Sequence, residues 1–174
     1  MQEILQGNAA LIEALGALCT RDKAIHHSTD AYGNRLDHPR FMSQAATALQ
    51  GAHARLCMIT AYNLKQLGEQ QQELCYHFEL QGVVYNITVT LTAEHNTVPS
   101  ITPLFANADW HEREMMELYG IRVANQPNPR RLFLDEELDA GILNEAVPLS
   151  IMMNGACTTD LWERILKEKE GERA

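Results

Sequence analysis

Val83-Val84-Tyr85-Asn86-Ile87-Thr88-Val89-Thr90-Leu91-Thr92 alternates two kinds of side chain, and a period of two belongs to an extended strand with one face on a core. Val83, Tyr85, Ile87, Val89 and Leu91 form the apolar face; Val84, Asn86, Thr88, Thr90 and Thr92 form a mostly polar one. A strand divided in this way predicts a sheet covered by helices on a single side. Just before it stands the tight pair Gln81-Gly82, and before that the β-branched and aromatic run 73–80. A third such run, 55–62, is separated from the second by a break at Gly68 and the glutamines after it. Short connections make an antiparallel meander the economical reading.

Outward from the strands, helical spacing takes over. Ile4, Leu5, Leu11, Ile12, Leu15 and Leu18 predict an amphipathic helix over 3–18, weakened by two glycines. Residues 20–38 hold the turn formers Ser28, Asp30, Gly33, Asn34 and Asp37 without a period and read as a loop. Pro39 suits a first helical turn, with Phe41, Met42, Ala45, Ala46 and Leu49 continuing to about residue 50. Pro99 and Pro103 keep their stretch extended, and a helix follows that stops at Gly120, with Asn107 or Asp109 as its cap. Pro127, Pro129, Gly141 and Pro148 punctuate a mostly irregular acidic segment from 122 to 150. Asp160 with Glu163 resembles a capping box that opens a short helix to about 169. The expected fold is α+β: an antiparallel sheet of at least three strands under helices on one side. The core domain is read as 1–122, and 123–174 as an extended C-terminal segment with a short terminal helix.

The net charge of −9 repels phosphate backbones and anionic membrane surfaces, and no basic stripe overrides it. Residues 101–174 carry 14 acids and 8 bases, so their contacts are expected to include basic groups. No apolar run reaches a membrane span, and the N-terminus lacks a signal-peptide layout, so the chain reads as soluble and intracellular. Cys19, Cys57, Cys75 and Cys157 never approach Cys-x-x-Cys spacing and read as small buried hydrophobes, with Cys57 and Cys75 facing each other across neighbouring strands.

The chemistry concentrates in Ala108-Asp109-Trp110-His111-Glu112-Arg113-Glu114-Met115-Met116-Glu117-Leu118-Tyr119-Gly120. At ~100° per residue, Met115, Met116, Leu118 and Tyr119 share one arc of the helix, and Trp110, Arg113, Glu114 and Glu117 share the other. Arg113 and Glu117 have the spacing of an exposed ion pair. Glu112 falls inside the apolar arc, where an unpaired carboxylate is costly. Arg130 and Arg131, stiffened by Pro127 and Pro129, are the nearest candidates to meet it. The expectation is that one arginine pairs with Glu112 while the other faces a partner protein.

These residues resemble the C subunit of the proton-pumping NADH-quinone oxidoreductase (complex I) and the homologous small subunit of membrane-bound energy-converting nickel-iron (NiFe) hydrogenases. The signature is Glu112-Arg113-Glu114, Glu117, Leu118-Tyr119-Gly120, then Arg130-Arg131-Leu132, with Pro99-Ser-Ile-Thr102 and Ala108-Asp-Trp110 matching ahead of it. The likeness covers about 54–134. Where complex I versions place Gly-His-Pro and Phe-Gly, this chain has Asn125-Gln126-Pro127 and Tyr119-Gly120. Those departures favour the hydrogenase branch, with the complex I protein as the alternative. The usual Pro-Leu-Arg-Lys stretch is replaced by Leu143-Asn-Glu-Ala146.

The resemblance implies a subunit that is not an enzyme by itself. It would carry no cofactor and would scaffold the large catalytic subunit and the iron-sulfur subunits, where the NiFe centre and the iron-sulfur clusters belong. It implies a cytoplasmic location on the inner face of the membrane, with membrane contact only through the complex and no nucleic acid.

Two other readings compete. A stand-alone metal-dependent hydrolase would use His111-Glu112, but its second ligand position is Met115, and the remaining candidate ligands are His26, His27, Asp30 and His38. A nucleic-acid module would stack bases on Tyr62, Tyr76, Phe78 and Tyr85, against the charge balance and against core packing as the simpler role.

Overall fold

The computed structural model describes residues 8–19, 31–64, 71–92, 94–134 and 140–141, all within the first of two units, Met1–Asn144. In chain order these form α1 (Ala9–Gly16), β1 (Ala31–Arg35), a 3-10 turn (Pro39–Phe41), α2 (Met42–Gly51), β2 (Arg55–Asn63), β3 (Gln72–Leu80), β4 (Val83–Leu91), β5 (Thr97–Pro99), α3 (Ala108–Tyr119) and β6 (Arg122–Ala124).

The main sheet has the order β1-β4-β3-β2. The meander is antiparallel, with Leu80 opposite Val83 at the first hairpin and Ile59 opposite Tyr76 in the second pair. Gln81 and Gly82 turn that hairpin at φ 54° and 81°. The alternation along β4 is realised: Val83, Tyr85, Ile87, Val89 and Leu91 are buried, and the residues between them only half so.

Tyr76, Phe78 and Tyr85 are fully buried with Leu15, Met42, Leu49 and Ile101. Side chains of this size contribute roughly 1.5–3 kcal/mol each on leaving water. The aromatics of β3 and β4 are therefore core, and only Tyr62 of the base-stacking set is exposed.

Residues 31–35, read as loop, are a strand. β1 pairs in parallel with β4, Tyr32 opposite Tyr85 and Asn34 opposite Ile87. Its local sequence is poor in strand formers, but β4 supplies a ladder that propensity does not predict. A second missed strand, β6, pairs in parallel with β5, Val98 against Val123.

Cys57 and Cys75 do not face each other. The register shifts between Leu56 and Met58, leaving Cys57 exposed at the bulge, while Cys75 lies opposite Thr60 and Thr88. Residues 3–7 of the first helix, the loop 20–30, the short helix 160–169, the acidic run 135–139 and Cys157 lie outside the described residues.

Candidate functional site

Asn107 stands at the N-cap of α3, but its amide donates to Leu56 O at 3.0 Å rather than capping the helix. Gly120 ends α3 in the left-handed region at φ 64°, where an L side chain is disfavoured. Asn125, at φ 60°, follows β6 and precedes Gln126. Residues 126–134 then run along α3 from its first turn to its last, and this stretch is called the arm.

Glu112 is fully buried. Its carboxylate accepts from Ser100 Oγ at 2.6 Å, Ile101 N at 2.7 Å, Thr102 Oγ1 at 2.9 Å and Gln126 Nε2 at 3.0 Å. Every donor is neutral, so the expected Arg130 or Arg131 partner is replaced by hydroxyls, one backbone N–H and an amide. Desolvation pushes the Glu112 carboxyl above its ordinary value, and these bonds only partly oppose it. The same carboxylate adds to the burial that raises the Tyr76 phenol.

Arg113 and Glu117 were expected on a solvated face, yet they are 7% and 3% exposed. Arg113 donates from Nε to Arg130 O at 2.9 Å and from NH2 to Arg131 O at 2.6 Å, with NH1 3.4 Å from Asp109 Oδ2. Glu117 accepts the backbone N–H groups of Leu132 at 2.6 Å, Phe133 at 3.0 Å and Leu134 at 2.6 Å. Burial alone would raise the Glu117 carboxyl, but the three N–H donors and the nearby Arg131 charge hold it below its ordinary value.

Trp110 is 63% exposed and Phe133 64%. Glu114 is half-buried, with Oε2 4.0 Å from His111 Nδ1. Tyr119 is half-buried, and its carbonyl accepts from Gln72 Nε2 at 2.9 Å. Arg130 is exposed and Arg131 half-buried. The structure thus gathers Glu112, Arg113, Glu117 and the arm into one assembly and leaves Trp110 outside it.

Sequence reasoning missed Ser100, Thr102 and Gln126 as the carboxylate's donors. The only signal for them was the Pro99-Ser-Ile-Thr102 match and the loop departure at Gln126. Gln126 stands where the resemblance places a histidine, and it keeps a donor aimed at Glu112.

A second polar cluster lies on the sheet face away from the helices. Arg35 clasps Glu73 through NH1 at 2.8 Å and NH2 at 2.9 Å, and Tyr62 OH also donates to Glu73. Burial raises the Glu73 carboxyl, but Arg35 and Tyr62 outweigh it and leave it lowered. Beside it, Thr60 Oγ1 lies 3.1 Å from His77 Nε2, and His77 Nδ1 lies 2.7 Å from Asn86 Oδ1.

Of the hydrolase candidates, His38 accepts the Arg40 N–H at 3.1 Å and packs at a tilt against His95, ring centroids 4.6 Å apart, while His26, His27 and Asp30 lie outside the described residues. Among the described residues no group of three His, Cys, Asp or Glu side chains is assembled, and no helix is long and apolar enough to cross a membrane.

The family model described as "Respiratory-chain NADH dehydrogenase, 30 Kd subunit" matches residues 37–155. The C subunit of the NADH-quinone oxidoreductase of Azorhizobium caulinodans is 37% identical over 83 residues, which is 47% of this chain and 39% of that protein. The matched stretches span less than half the length of the curated relatives. The fold is similar to a chain in the structure of the membrane-bound sulfane sulfur reductase, an archaeal respiratory membrane complex. That match has a TM-score of 0.70 at 12% identity and covers 88% of this chain and 93% of that one. It is also similar to a trypsin-resistant fragment of Nqo5, with a TM-score of 0.57 at 19% identity, covering 70% of this chain and 97% of the fragment.

Proposed function

The chain belongs to the family of the respiratory-chain NADH dehydrogenase 30 Kd subunit, and on that premise we propose that it is a non-catalytic brace in a membrane-bound respiratory oxidoreductase complex. The observation that carries this reading is the use made of the signature charges. Arg113 and Glu117 are spent on the arm's own backbone, and Glu112 is spent on the turn 100–102 that follows β5 and on Gln126. Carboxylates saturated in this way fix a shape and are not poised to move protons for a substrate. The shape presents Trp110, Arg130 and Phe133 outward, the residue types that anchor protein interfaces.

In this reading the chain holds together a large catalytic subunit and iron-sulfur subunits; of the segment 123–174 read as wrapping a partner, residues 126–134 are instead spent on the chain's own α3. The metal centres belong to those partners, and the chain reaches the inner face of the membrane through them, on the cytoplasmic side. Nucleic acid is not among the partners, because the net charge of −9 opposes it.

Two branches of complex fit. Asn125-Gln126-Pro127 and Tyr119-Gly120 favour a NiFe hydrogenase. The matched relatives, named as quinone oxidoreductase subunits, favour the complex I branch. The test is affinity purification of the tagged chain from detergent-solubilised native membranes, with mass spectrometry and metal analysis of what comes with it. A nickel-containing large subunit supports the hydrogenase branch, and a nickel-free, quinone-reducing assembly supports complex I. Recovery of the chain with no oxidoreductase subunit sinks the brace.

A further inference from the structure

Between α3 and the arm lies a notch of about 150 Å³. Met116, Pro129 and Ala140 form its apolar side, and Arg113, Arg130, Arg131 and Glu117 its charged rim. It is smaller than the roughly 300 Å³ at which small-molecule sites begin, so its volume suits one side chain and not a nucleotide or a cofactor ring.

The rim charges are unequally committed. Arg113 is taken up by Asp109 and two arm carbonyls, and Glu117 by three arm N–H groups with Arg131 beside it. Arg130 contributes only its carbonyl to the fold; its exposed guanidinium makes no ion pair among the described residues. Among the described residues Arg130 is thus a cation without an ion pair, and with Arg113 and Arg131 beside it the notch is a local positive patch that complements an acidic partner group.

We propose that the notch receives one acidic side chain of a partner subunit, its carboxylate on Arg130 and its methylene stem against Met116, Pro129 and Ala140. Arg130 can hold a carboxylate with two parallel N–H donors. The proposal rests on the brace reading and names the chemistry of the partner at the same face.

The test uses the complex purified through the tagged chain, comparing wild type, Arg130→Glu and Arg130→Lys over a salt series. Arg130→Glu should lower recovery of the partner subunits about tenfold or more at ~0.15 M salt, while Arg130→Lys, which keeps the charge and loses the two-donor fork, should fall between the two. Melting of the isolated full-length Arg130→Glu chain should match wild type, because the exposed guanidinium makes no ion pair among the described residues. Equal recovery and equal salt resistance of wild type and Arg130→Glu overturn the notch assignment while leaving the brace intact. Failure of wild type itself to recover oxidoreductase subunits overturns the brace instead. Titration of the isolated chain with inorganic phosphate separates the remaining case: binding abolished by Arg130→Glu, with assembly untouched, assigns the notch to a free anion and overturns the proposal.

Discussion

Arg113 and Glu117 lie four residues apart on α3, yet each turns its charge on the same five-residue stretch of the arm rather than on the other. Arg113 has only donors and takes the carbonyls of Arg130 and Arg131; Glu117 has only acceptors and takes the N–H groups of Leu132, Phe133 and Leu134. Arg113 and Glu117 are themselves buried, and without the arm their charged groups would lose these partners at about 1–3 kcal/mol each. The order of the charges along the helix is therefore dictated by the order of carbonyls and amides along the arm.

Exchanging the two charges, Arg113→Glu with Glu117→Arg, preserves any ion pair between them. It also sets a carboxylate against carbonyls and a guanidinium against N–H groups. The double variant should release the arm, so that trypsin cuts after Arg130 and Arg131 at least about tenfold faster than in wild type, since opening of roughly 1.4 kcal/mol is tenfold in population. Cleavage as slow as wild type would mean that the pair, and not the clamp, is what matters.

Removing the charge alone is milder. Glu117→Gln keeps one acceptor oxygen and should cost about 2 kcal/mol, or ~4–8 °C in Tm for a chain of this size. Calorimetry of the purified chain would check this, and a loss under about 1 °C would contradict it.

The two buried carboxylates pull stability in opposite directions with pH. Glu117 has a lowered folded pKa, so its contribution is present above the unfolded carboxylate value of about 4.3 and is lost as pH falls through the folded value. Glu112 has a raised one, so its contribution is present below about 4.3 and is lost as pH rises through the folded value. In melting curves from about pH 3 to pH 8, Glu117→Gln should flatten the acid side and Glu112→Gln should flatten the decline above about pH 4. Identical pH slopes in both variants would contradict the assignment.

Deleting the Glu112 side chain differs from neutralising it. Glu112→Ala strands Ser100, Ile101 N, Thr102 and Gln126 without an acceptor and should cost at least about 3 kcal/mol. Glu112→Gln should cost about 1 kcal/mol, because the hydroxyls of Ser100 and Thr102 can turn to accept from the new amide. Urea titration of both variants measures the gap. Equal losses would argue that the site is filled by volume and not by hydrogen bonding.

The main sheet was legible because β2, β3 and β4 carry their own periodicity, and the end of α3 because Gly120 is a stop that few residues replace. β1 was not legible. Tyr32 and Leu36 mark its core side, but Asn34 between them is buried and polar, and the strand exists because β4 offers it a ladder.

At the site, burial of Glu112 was legible from the helical wheel, since a carboxylate on the apolar arc must be answered. The answer itself was not legible. Sequence displays charges and so points to Arg130 and Arg131, whereas the structure answers with hydroxyls and an N–H from a turn ten to twelve residues upstream. The same blindness hid the clamp, because a backbone N–H carries no letter in a sequence.

The most direct test of a self-braced α3 is hydrogen exchange at the amides of Leu132, Phe133 and Leu134 in the full-length chain. Strong protection in wild type that collapses in Glu117→Ala, while the amides of β3 and β4 keep theirs, is the predicted result. Free exchange at these three amides in wild type would contradict it.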